Sequence, residues 1–218
     1  MRAVLFANGG LPDPDFTRSR LLPDDVIISA DGGTRHALAL GLRPDLVVGD
    51  LDSLEPIDRA RLEAVGCAIE QHPVDKDATD LELALQAAQR LGADEVLLLG
   101  ALGGRLDQEL ANLLLLASPQ FAGLVLSLAE GRTTAWIVRK DLSVVGQPGD
   151  IVSALSLSPQ VEGLTYHSGL RWPLHDFTLP FGSSRGVSNE MVADSAVLSL
   201  RAGVLLVLHL PRSTVVGL

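Results

Sequence analysis

The feature that most constrains the fold is a regular alternation of short apolar runs with amphipathic segments, continuing to about residue 128. The apolar runs are of strand length and lie at residues 2–7, 26–30, 45–48, 67–71, 95–99 and 123–128. Segments with helical periodicity lie between them, at residues 33–41, 56–65, 79–91 and 105–117. Strands separated by single helices need crossover connections, so this part is predicted to be an α/β domain with a doubly wound parallel sheet.

The rest of the chain has a different pattern. From Thr133 onward the helical periodicity fades, and short strand-like runs alternate with turn signals such as GQPGD, HSGL and FGSSRG. This pattern predicts a smaller, antiparallel, β-sandwich-like domain. We place the boundary at residue 140, which gives an α/β domain over 1–140 and a β-rich domain over 141–218.

Charge and cysteine content exclude several classes of protein. The 27 acidic residues outnumber the 17 basic ones, and the net charge of −10 would repel a nucleic acid. Cys67 is the single cysteine, so neither an intrachain disulfide nor a cysteine zinc cluster is possible, and a reducing compartment is indicated. Asn8 interrupts the first apolar run, and no run approaches the length of a membrane span, which is about 18 residues. We therefore expect a cytoplasmic protein with neither nucleic-acid nor membrane partners.

Polar residues follow the predicted strands in four loops. They are Asp31–Gly33, Gly49–Ser53, Asp75–Asp80 and Gly100–Asp107. In an open parallel sheet, ligands bind outside the carboxyl ends of the strands. We therefore expect all four loops to open on one edge of the sheet.

The second loop offers carboxylates at Asp50 and Asp52. Two residues apart in an extended loop, they would project to the same side and share one cation. With neither His nor Cys nearby, the ligands are all oxygen, which suits a hard ion such as Mg²⁺. The alternative interpretation is that both, with Ser53, are only turn and cap residues before a helix that starts at Pro56.

The third loop has the residues of a helix N-terminus. Thr79 and Glu82 form a capping-box pattern, and Asp80 at the first helical position favours the helix dipole. Helix initiation does not explain Asp77, because crowded carboxylates repel one another unless a cation or a partner such as Lys76 neutralises them.

The fourth loop enters a helix with Gly103, Gly104 and Arg105. Its backbone N–H groups and the positive helix end are suited to phosphate, with the guanidinium binding an oxygen. The glycine spacing fits neither the P-loop nor the dinucleotide fingerprint, and a tight connection is the alternative. Together with the acidic loops, however, it suggests a polyphosphate bridged to carboxylates by a divalent cation.

At these residues the sequence resembles the thiamine pyrophosphokinase family. The matching segments are ADGGTRHALALGLRPDLVVGDLDSL at 30–54, DKDATDLELAL at 75–85, LGALGGRLDQELAN at 99–112, GLRWPL at 169–174 and GVSNE at 186–190. Their order and spacing agree along most of the chain, although Leu51 stands where the family more often has Phe.

The resemblance implies transfer of a diphosphoryl group from ATP to the hydroxyl of thiamine, giving thiamine diphosphate and AMP. Residues 1–140 would bind ATP and Mg²⁺ and catalyse the reaction, and residues 141–218 would bind thiamine and form a homodimer with the thiamine site between subunits. A different enzyme using Mg²⁺ and nucleotides, such as another pyrophosphokinase or a phosphohydrolase, is the first alternative. A non-catalytic nucleotide-binding module is the second.

Site residues follow from the same motifs. The Mg²⁺ ligands would be Asp50, Asp52 and Asp80, and Asp77 or Asp107 would complete the catalytic set as the acceptor of the hydroxyl proton. In-line attack on the β-phosphorus mainly needs positioning and charge neutralisation. The ATP site would comprise Asp31, Gly32, Gly33, Lys76, Thr79, Gly103, Gly104, Arg105 and Gln108.

Thiamine is a cation with two flat rings, so its site should offer an aromatic face. Trp172 is the candidate for stacking and cation–π attraction, and Ser188 and Asn189 for hydrogen bonds to the aminopyrimidine. Without the resemblance, a buried core tryptophan would be the better interpretation of Trp172. Trp136 is assigned to packing.

Overall fold

In the computed structural model, residues 1–52, 54 and 56–212 are described, so that Ser53 lies outside the described residues. The chain divides into two compact units, Met1–Gly131 and Arg132–Leu218. The division precedes the strand at Thr133–Val138, whereas the sequence placed the limit after it, at residue 140.

The first unit alternates strands and helices as the sequence predicted. Its strands are β1 (Arg2–Phe6), β2 (Val26–Ala30), β3 (Leu46–Gly49), β4 (Ala68–Gln71), β5 (Glu95–Leu99) and β6 (Val125–Glu130). Its helices are α1 (Pro14–Ser19), α2 (Thr34–Ala39), α3 (Pro56–Ala64), α4 (Asp80–Arg90) and α5 (Leu106–Leu116). Short 3₁₀ turns occupy Asp31–Gly33 and Pro119–Phe121.

The strands of this unit form a parallel sheet in the order β6–β5–β1–β2–β3–β4. Four of the five residues in each of β1, β2 and β5 are buried, as expected for central strands of a parallel sheet. The chain moves outward from β1 to β4 and then returns to β5 on the other side of β1. The loops after β1 and β5 therefore flank the point where the strand order reverses, the usual binding crevice of such sheets.

The helix ends follow local capping rules. The Thr79 hydroxyl accepts a hydrogen bond from the Glu82 backbone N–H at 3.2 Å, which confirms the predicted start of α4. The sequence analysis missed α1, although Asp13 caps it by accepting a bond from the Phe16 N–H at 3.0 Å and Pro14 occupies its first turn. None of the helices within the described ranges has both the length and the apolar character needed to cross a membrane.

The second unit consists of strands. They are β7 (Thr133–Val138), β8 (Asp141–Val145), β9 (Ile151–Ser156), β10 (Gln160–Ser168), β11 (Phe177–Pro180), β12 (Asn189–Glu190), β13 (Ser195–Ser199) and β14 (Leu205–Leu210). Four pair antiparallel in the order β12–β9–β14–β7, and four in the order β11–β10–β13–β8. Residues of both sheets, among them Val152 and Leu198, share one buried cluster, so the predicted sandwich-like fold is confirmed.

A buried hydrogen bond between Asp150 and His209 ties the turn before β9 to the end of β14. The Asp150 carboxylate lies 2.8 Å from His209 Nε2 and accepts the backbone N–H groups of Arg212, at 2.8 Å, and Gln147, at 2.9 Å. Burial raises the pKa of Asp150, but these hydrogen bonds outweigh it and hold the pKa below its ordinary value. The carboxylate is therefore a structural acceptor.

Candidate active site

A polar cavity of about 460 Å³ opens at the carboxyl ends of the parallel strands. Its walls come from the loops after β1, β2 and β5 and from the first turns of α4 and α5. Three of the four predicted loops, Asp31–Gly33, Asp75–Asp80 and Gly100–Asp107, therefore border this cavity. The lining residues are Ala7, Asn8, Gly9, Ala30, Asp31, Thr79, Asp80, Leu81, Gly100, Ala101, Leu102, Gly104, Arg105, Gln108, Glu109 and Asn112.

Close backbone packing holds the loop after β1 in place. A Cβ at Gly9 would lie 2.1 Å from the Leu102 carbonyl oxygen, and a Cβ at Gly33 would lie 2.1 Å from that of Phe6. Only glycine permits these approaches. A 2.8 Å hydrogen bond joins His36 Nε2 to the Gly9 carbonyl oxygen, so α2 also fixes this loop. The loop is thus rigidly built into the cavity wall.

Three carboxylates converge beside the cavity. Ligand oxygens of Asp31, Asp50 and Asp52 all lie within 4.8 Å of one another. The convergence does not arise from an extended loop, as the sequence suggested, because Leu51 has φ +66° and Asp31 has φ +42°. Left-handed backbone at a buried leucine is strained, and such strain is characteristic of functional sites. The loop is therefore folded to bring the carboxylates together.

The cluster perturbs its own ionisation. The Asp52 backbone N–H donates to the Asp50 carboxylate at 3.2 Å, and this bond, opposed by burial and aided by Lys76, lowers the pKa of Asp50. The charge of Asp50, followed by that of Asp31, raises the pKa of the exposed Asp52 carboxyl. Mutual repulsion of this kind favours binding of a cation.

Lys76 joins two of the predicted metal ligands. Its Nζ lies 2.9 Å from Asp80 Oδ1 and 3.2 Å from Asp50 Oδ2. Burial lowers the pKa of Lys76, but the bonds to these two carboxylates outweigh it and raise the pKa above its ordinary value. Asp80 and Asp50 are thus linked by the ammonium group that binds both carboxylates. Asp31, which the sequence assigned to the ATP site, lies in the carboxylate cluster.

The glycine loop before α5 is internally bonded. The backbone N–H groups of Gly103 and Gly104, predicted as phosphate donors, donate to Glu109 Oε1 at 2.9 and 2.7 Å. The exposed Arg105 guanidinium donates to both oxygens of Asp107, at 3.1 and 2.6 Å. This pairing lowers the pKa of Asp107 and raises that of Arg105. The loop therefore satisfies its own donors.

Apart from Asp50 and Asp52 of the carboxylate cluster, the residues predicted for ATP binding or catalysis fall into two groups. Those in the cavity lining are Asp31, Thr79, Asp80, Gly104, Arg105 and Gln108. Those outside the lining are Gly32, Gly33, Lys76, Asp77, Gly103 and Asp107. Gly32 is buried, and a Cβ there would meet the Asn8 side chain at 2.5 Å, so this glycine serves close packing. Asp77 is exposed.

Sequence reasoning missed four polar or glycine residues of this cavity: Asn8, Gly9, Glu109 and Asn112. Asn8 and Gly9 directly follow a strand, and the rule that located the other loops would have found them. Asn112 lies two turns into α5, where its side-chain amide donates to the Ala101 carbonyl at 2.8 Å. No sequence pattern predicted that Asn112 or Glu109 would line the cavity, because the sequence alone does not show which face of α5 turns toward the loop.

A second cavity, of about 410 Å³, lies within the β unit. It brings together the three residues that the sequence assigned to thiamine. Trp172 is 56% exposed, so its interpretation as a core tryptophan is wrong. Its ring faces the Arg171 guanidinium at 5.5 Å. The lining residues are Tyr166, Trp172, Pro173, Leu174, Arg185, Val187, Ser188 and Asn189.

Asn189 has a positioning role in this cavity. Its side-chain oxygen accepts the Trp172 backbone N–H at 3.1 Å, and its amide nitrogen donates to the Trp172 carbonyl at 2.7 Å. The amide, predicted to bind a ligand, lines the cavity and also holds the tryptophan loop. Ser188 is exposed on the cavity lining with φ +62°, and its N–H donates to the Ser153 hydroxyl at 3.0 Å.

Comparison with known families assigns both units. Residues 18–128 match the thiamin pyrophosphokinase catalytic domain, and residues 138–205 match the thiamin pyrophosphokinase vitamin B1 binding domain. The first match runs from the end of α1 into β6 and so includes five of the six parallel strands, all but β1. The second covers the strands that surround the tryptophan cavity.

Individual relatives support the same family assignment. Thiamine pyrophosphokinase from Bacillus subtilis is 28% identical over 189 residues, covering 84% of this chain and 86% of the relative. A crystal structure of that enzyme superposes with a TM-score of 0.84 at 26% identity, over 97% of this chain and 99% of the other. The crystal structure of a thiamin pyrophosphokinase family protein from Enterococcus faecalis superposes with a TM-score of 0.79 at 30% identity, over 96% of this chain and 99% of the other. The chain belongs to the thiamin pyrophosphokinase family.

Proposed function

We propose that the chain transfers a diphosphoryl group from ATP to the hydroxyl of thiamine, giving thiamine diphosphate and AMP. The observation that carries this proposal is the presence of two distinct cavities in units that match the catalytic and vitamin B1 binding domains. One is polar and bordered by carboxylates, and the other is aromatic. The relatives reported above are thiamine pyrophosphokinases or members of that family, so the two alternative functions gain no support from them.

We further propose that the carboxylate cluster holds Mg²⁺. Three carboxylates within 4.8 Å of one another, made only of oxygen ligands, fit a hard divalent cation. Asp50 and Asp52 are the central ligands, with Asp31 beside them and Asp80 available once Lys76 releases it. When bound, Mg²⁺ would neutralise triphosphate charge that the acidic cluster otherwise repels.

The side chains of the polar cavity would orient the nucleotide. Arg105 lines the cavity and is exposed, so it is free to exchange Asp107 for a phosphate oxygen. In the reaction, a bond forms between the thiamine oxygen and the β-phosphorus. The bond between the β-phosphorus and the oxygen that bridges it to the α-phosphate breaks, so AMP leaves. The proton of the thiamine hydroxyl is released. Either Asp77 or Asp107 would accept that proton.

The β-unit cavity would hold thiamine against Trp172. The indole offers an exposed face to a cationic ring, and Asn189 fixes the backbone that carries it. The Arg171 guanidinium lies over this ring at 5.5 Å and is paired with Glu190 at 3.0 Å.

Phosphorus NMR of a mixture of protein, ATP, Mg²⁺ and thiamine tests the function. AMP and thiamine diphosphate, formed in equal amounts, are the expected products. ADP would indicate an ordinary kinase, orthophosphate a phosphohydrolase, and the absence of any product a binding module. A parallel sample without thiamine serves as the control, because diphosphoryl transfer requires the acceptor.

Assembly and location are further proposals. The resemblance implies a homodimer with the thiamine site between subunits, and cysteine usage favours the cytoplasm. Light scattering coupled to size-exclusion chromatography should give twice the chain mass of 23.0 kDa. A mass equal to one chain at micromolar concentration would refute the dimer.

A further inference from the structure

The glycine loop of the polar cavity binds an anion that belongs to the protein itself. Consecutive N–H groups at Gly103 and Gly104 converge on one oxygen of Glu109, at 2.9 and 2.7 Å. Gly103 has φ +81°, the left-handed conformation that turns successive N–H groups toward one point. Such paired N–H groups are a typical binding site for a phosphate oxygen, and here a carboxylate oxygen occupies them.

The position of Glu109 is compatible with exchange. Its side chain lines the same cavity as Arg105 and Gln108, only partly buried. Glu130 lies near the same loop, since a Cβ at Gly103 would be 3.4 Å from its Oε1, and its other carboxylate oxygen is buried with no hydrogen-bond partner in the described structure. Burial, followed by the charge of Glu109, raises the pKa of Glu130. Glu109 is therefore attracted by two N–H groups and repelled by the Glu130 carboxyl group.

We propose that Glu109 is an internal competitor for nucleotide phosphate, whose carboxylate occupies the Gly103 and Gly104 N–H groups in the free protein and leaves them when nucleotide binds. The proposal rests on the proposed function, because it takes the ligand to be a nucleoside triphosphate. Glu109 then sets the affinity for the nucleotide without touching the reacting atoms. It is an affinity-determining residue, and the ATP site is weaker than its donors alone would make it.

The test compares MgATP binding by calorimetry in the wild type and in Glu109→Gln. The amide keeps the size of the side chain but removes its charge, so its bonds to the two N–H groups weaken and its repulsion of phosphate disappears. We expect MgATP to bind about tenfold more tightly, with no change for adenosine, which has no phosphate. Glu63→Gln, on α3 and outside the cavity, removes the same charge at a distance and should leave both affinities unchanged.

Amide NMR separates competition from a permanent structural tie. If Glu109 leaves on binding, the Gly103 and Gly104 amide resonances of the wild type shift with MgATP toward the positions they take in MgATP-bound Glu109→Gln. Glu109→Asp, which shortens the side chain by one methylene and keeps the charge, gives a second variant should the first not fold. Its carboxylate reaches the N–H groups less well, so it too should bind MgATP more tightly than the wild type.

The outcomes distinguish the two proposals. MgATP binding that is unchanged or weaker in both variants, with normal binding in the wild type, would overturn the role of Glu109 and leave the proposed function intact. Tighter binding of adenosine as well would also overturn it, because the effect would not come from phosphate. A wild type that binds no MgATP would overturn both proposals.

Discussion

Replacing Lys76 by Met tests the electrostatic account of the acidic cluster. The ammonium group lies 2.9 Å from Asp80 and 3.2 Å from Asp50, and it is the one cation that the described structure pairs with these two carboxylates. Methionine keeps the length and apolar stem of the side chain and removes only the charge. The variant therefore isolates what the ammonium contributes in the absence of metal.

The magnitude follows from burial. The side chains of Lys76, Asp50 and Asp80 are 14%, 15% and 29% exposed, so both ion pairs are stronger than a typical surface pair. If each ion pair contributes about 1 kcal/mol, loss of both lowers the free energy of unfolding by about 2 kcal/mol. For a chain of 218 residues this corresponds to a melting temperature roughly 4–8 °C lower.

Thermal melts in EDTA and in excess Mg²⁺ supply the measurement. In the wild type, Mg²⁺ must displace the ammonium from the carboxylates, so Lys76→Met should gain more from Mg²⁺ than the wild type does. Lys140→Met, the same substitution at the other lysine of the chain, is the matched control and should behave as the wild type. If Lys76→Met melts at the wild-type temperature in EDTA, or gains no more from Mg²⁺, the reasoning is wrong.

Three further substitutions probe other parts of the molecule. Trp172→Ala should weaken thiamine binding about tenfold in a fluorescence or calorimetric titration. It should leave the melting temperature and MgATP affinity unchanged, since the ring is 56% exposed; unaltered thiamine affinity would exclude the aromatic site. Asp52→Asn should raise the melting temperature in EDTA, because it relieves repulsion with Asp50 and Asp31, and should reduce turnover about 100-fold or more. Full turnover would remove Asp52 from the metal site. Asp150→Asn should cost about 2–4 kcal/mol near pH 7, because a buried carboxylate with three donors loses its charge. The folded pKa of Asp150 lies below its unfolded value, so the contribution is complete above about pH 4 and is lost as pH falls through the folded pKa. In urea unfolding at several pH values, the free energy of unfolding should therefore fall less steeply with decreasing pH in the variant than in the wild type. An equal pH dependence in the two proteins would contradict this assignment.

Local sequence signals predicted most of the fold. Apolar runs of strand length gave β1, β2 and β5 with bounds within one residue, because buried parallel strands need continuous apolar sequence. The short helix α1 was missed since six residues carry too little periodicity, although its Asp13–Pro14 start is a recognisable cap.

The candidate site was predicted less evenly. Residues that directly follow strands, such as Asp31 and Asp50, were identified because a parallel sheet places them at one edge. The bonds that the candidate binding groups make inside the protein were not predicted: Asn189 holds the Trp172 backbone, and the Gly103 N–H donates to Glu109. A sequence shows which groups are able to bond, and not which partner lies nearest.

What the sequence determined by itself was therefore the alternation of elements, the loops that carry polar residues and the excess of acidic charge, since each depends on neighbours along the chain. Only the tertiary structure decided that Leu51 folds Asp50 and Asp52 toward Asp31, that Lys76 joins Asp50 to Asp80, and that Trp172 is exposed. Contacts between residues far apart in sequence, and the exposure of a side chain, are fixed by the packing of the whole unit. Local propensities do not decide them, because they act only over a few residues.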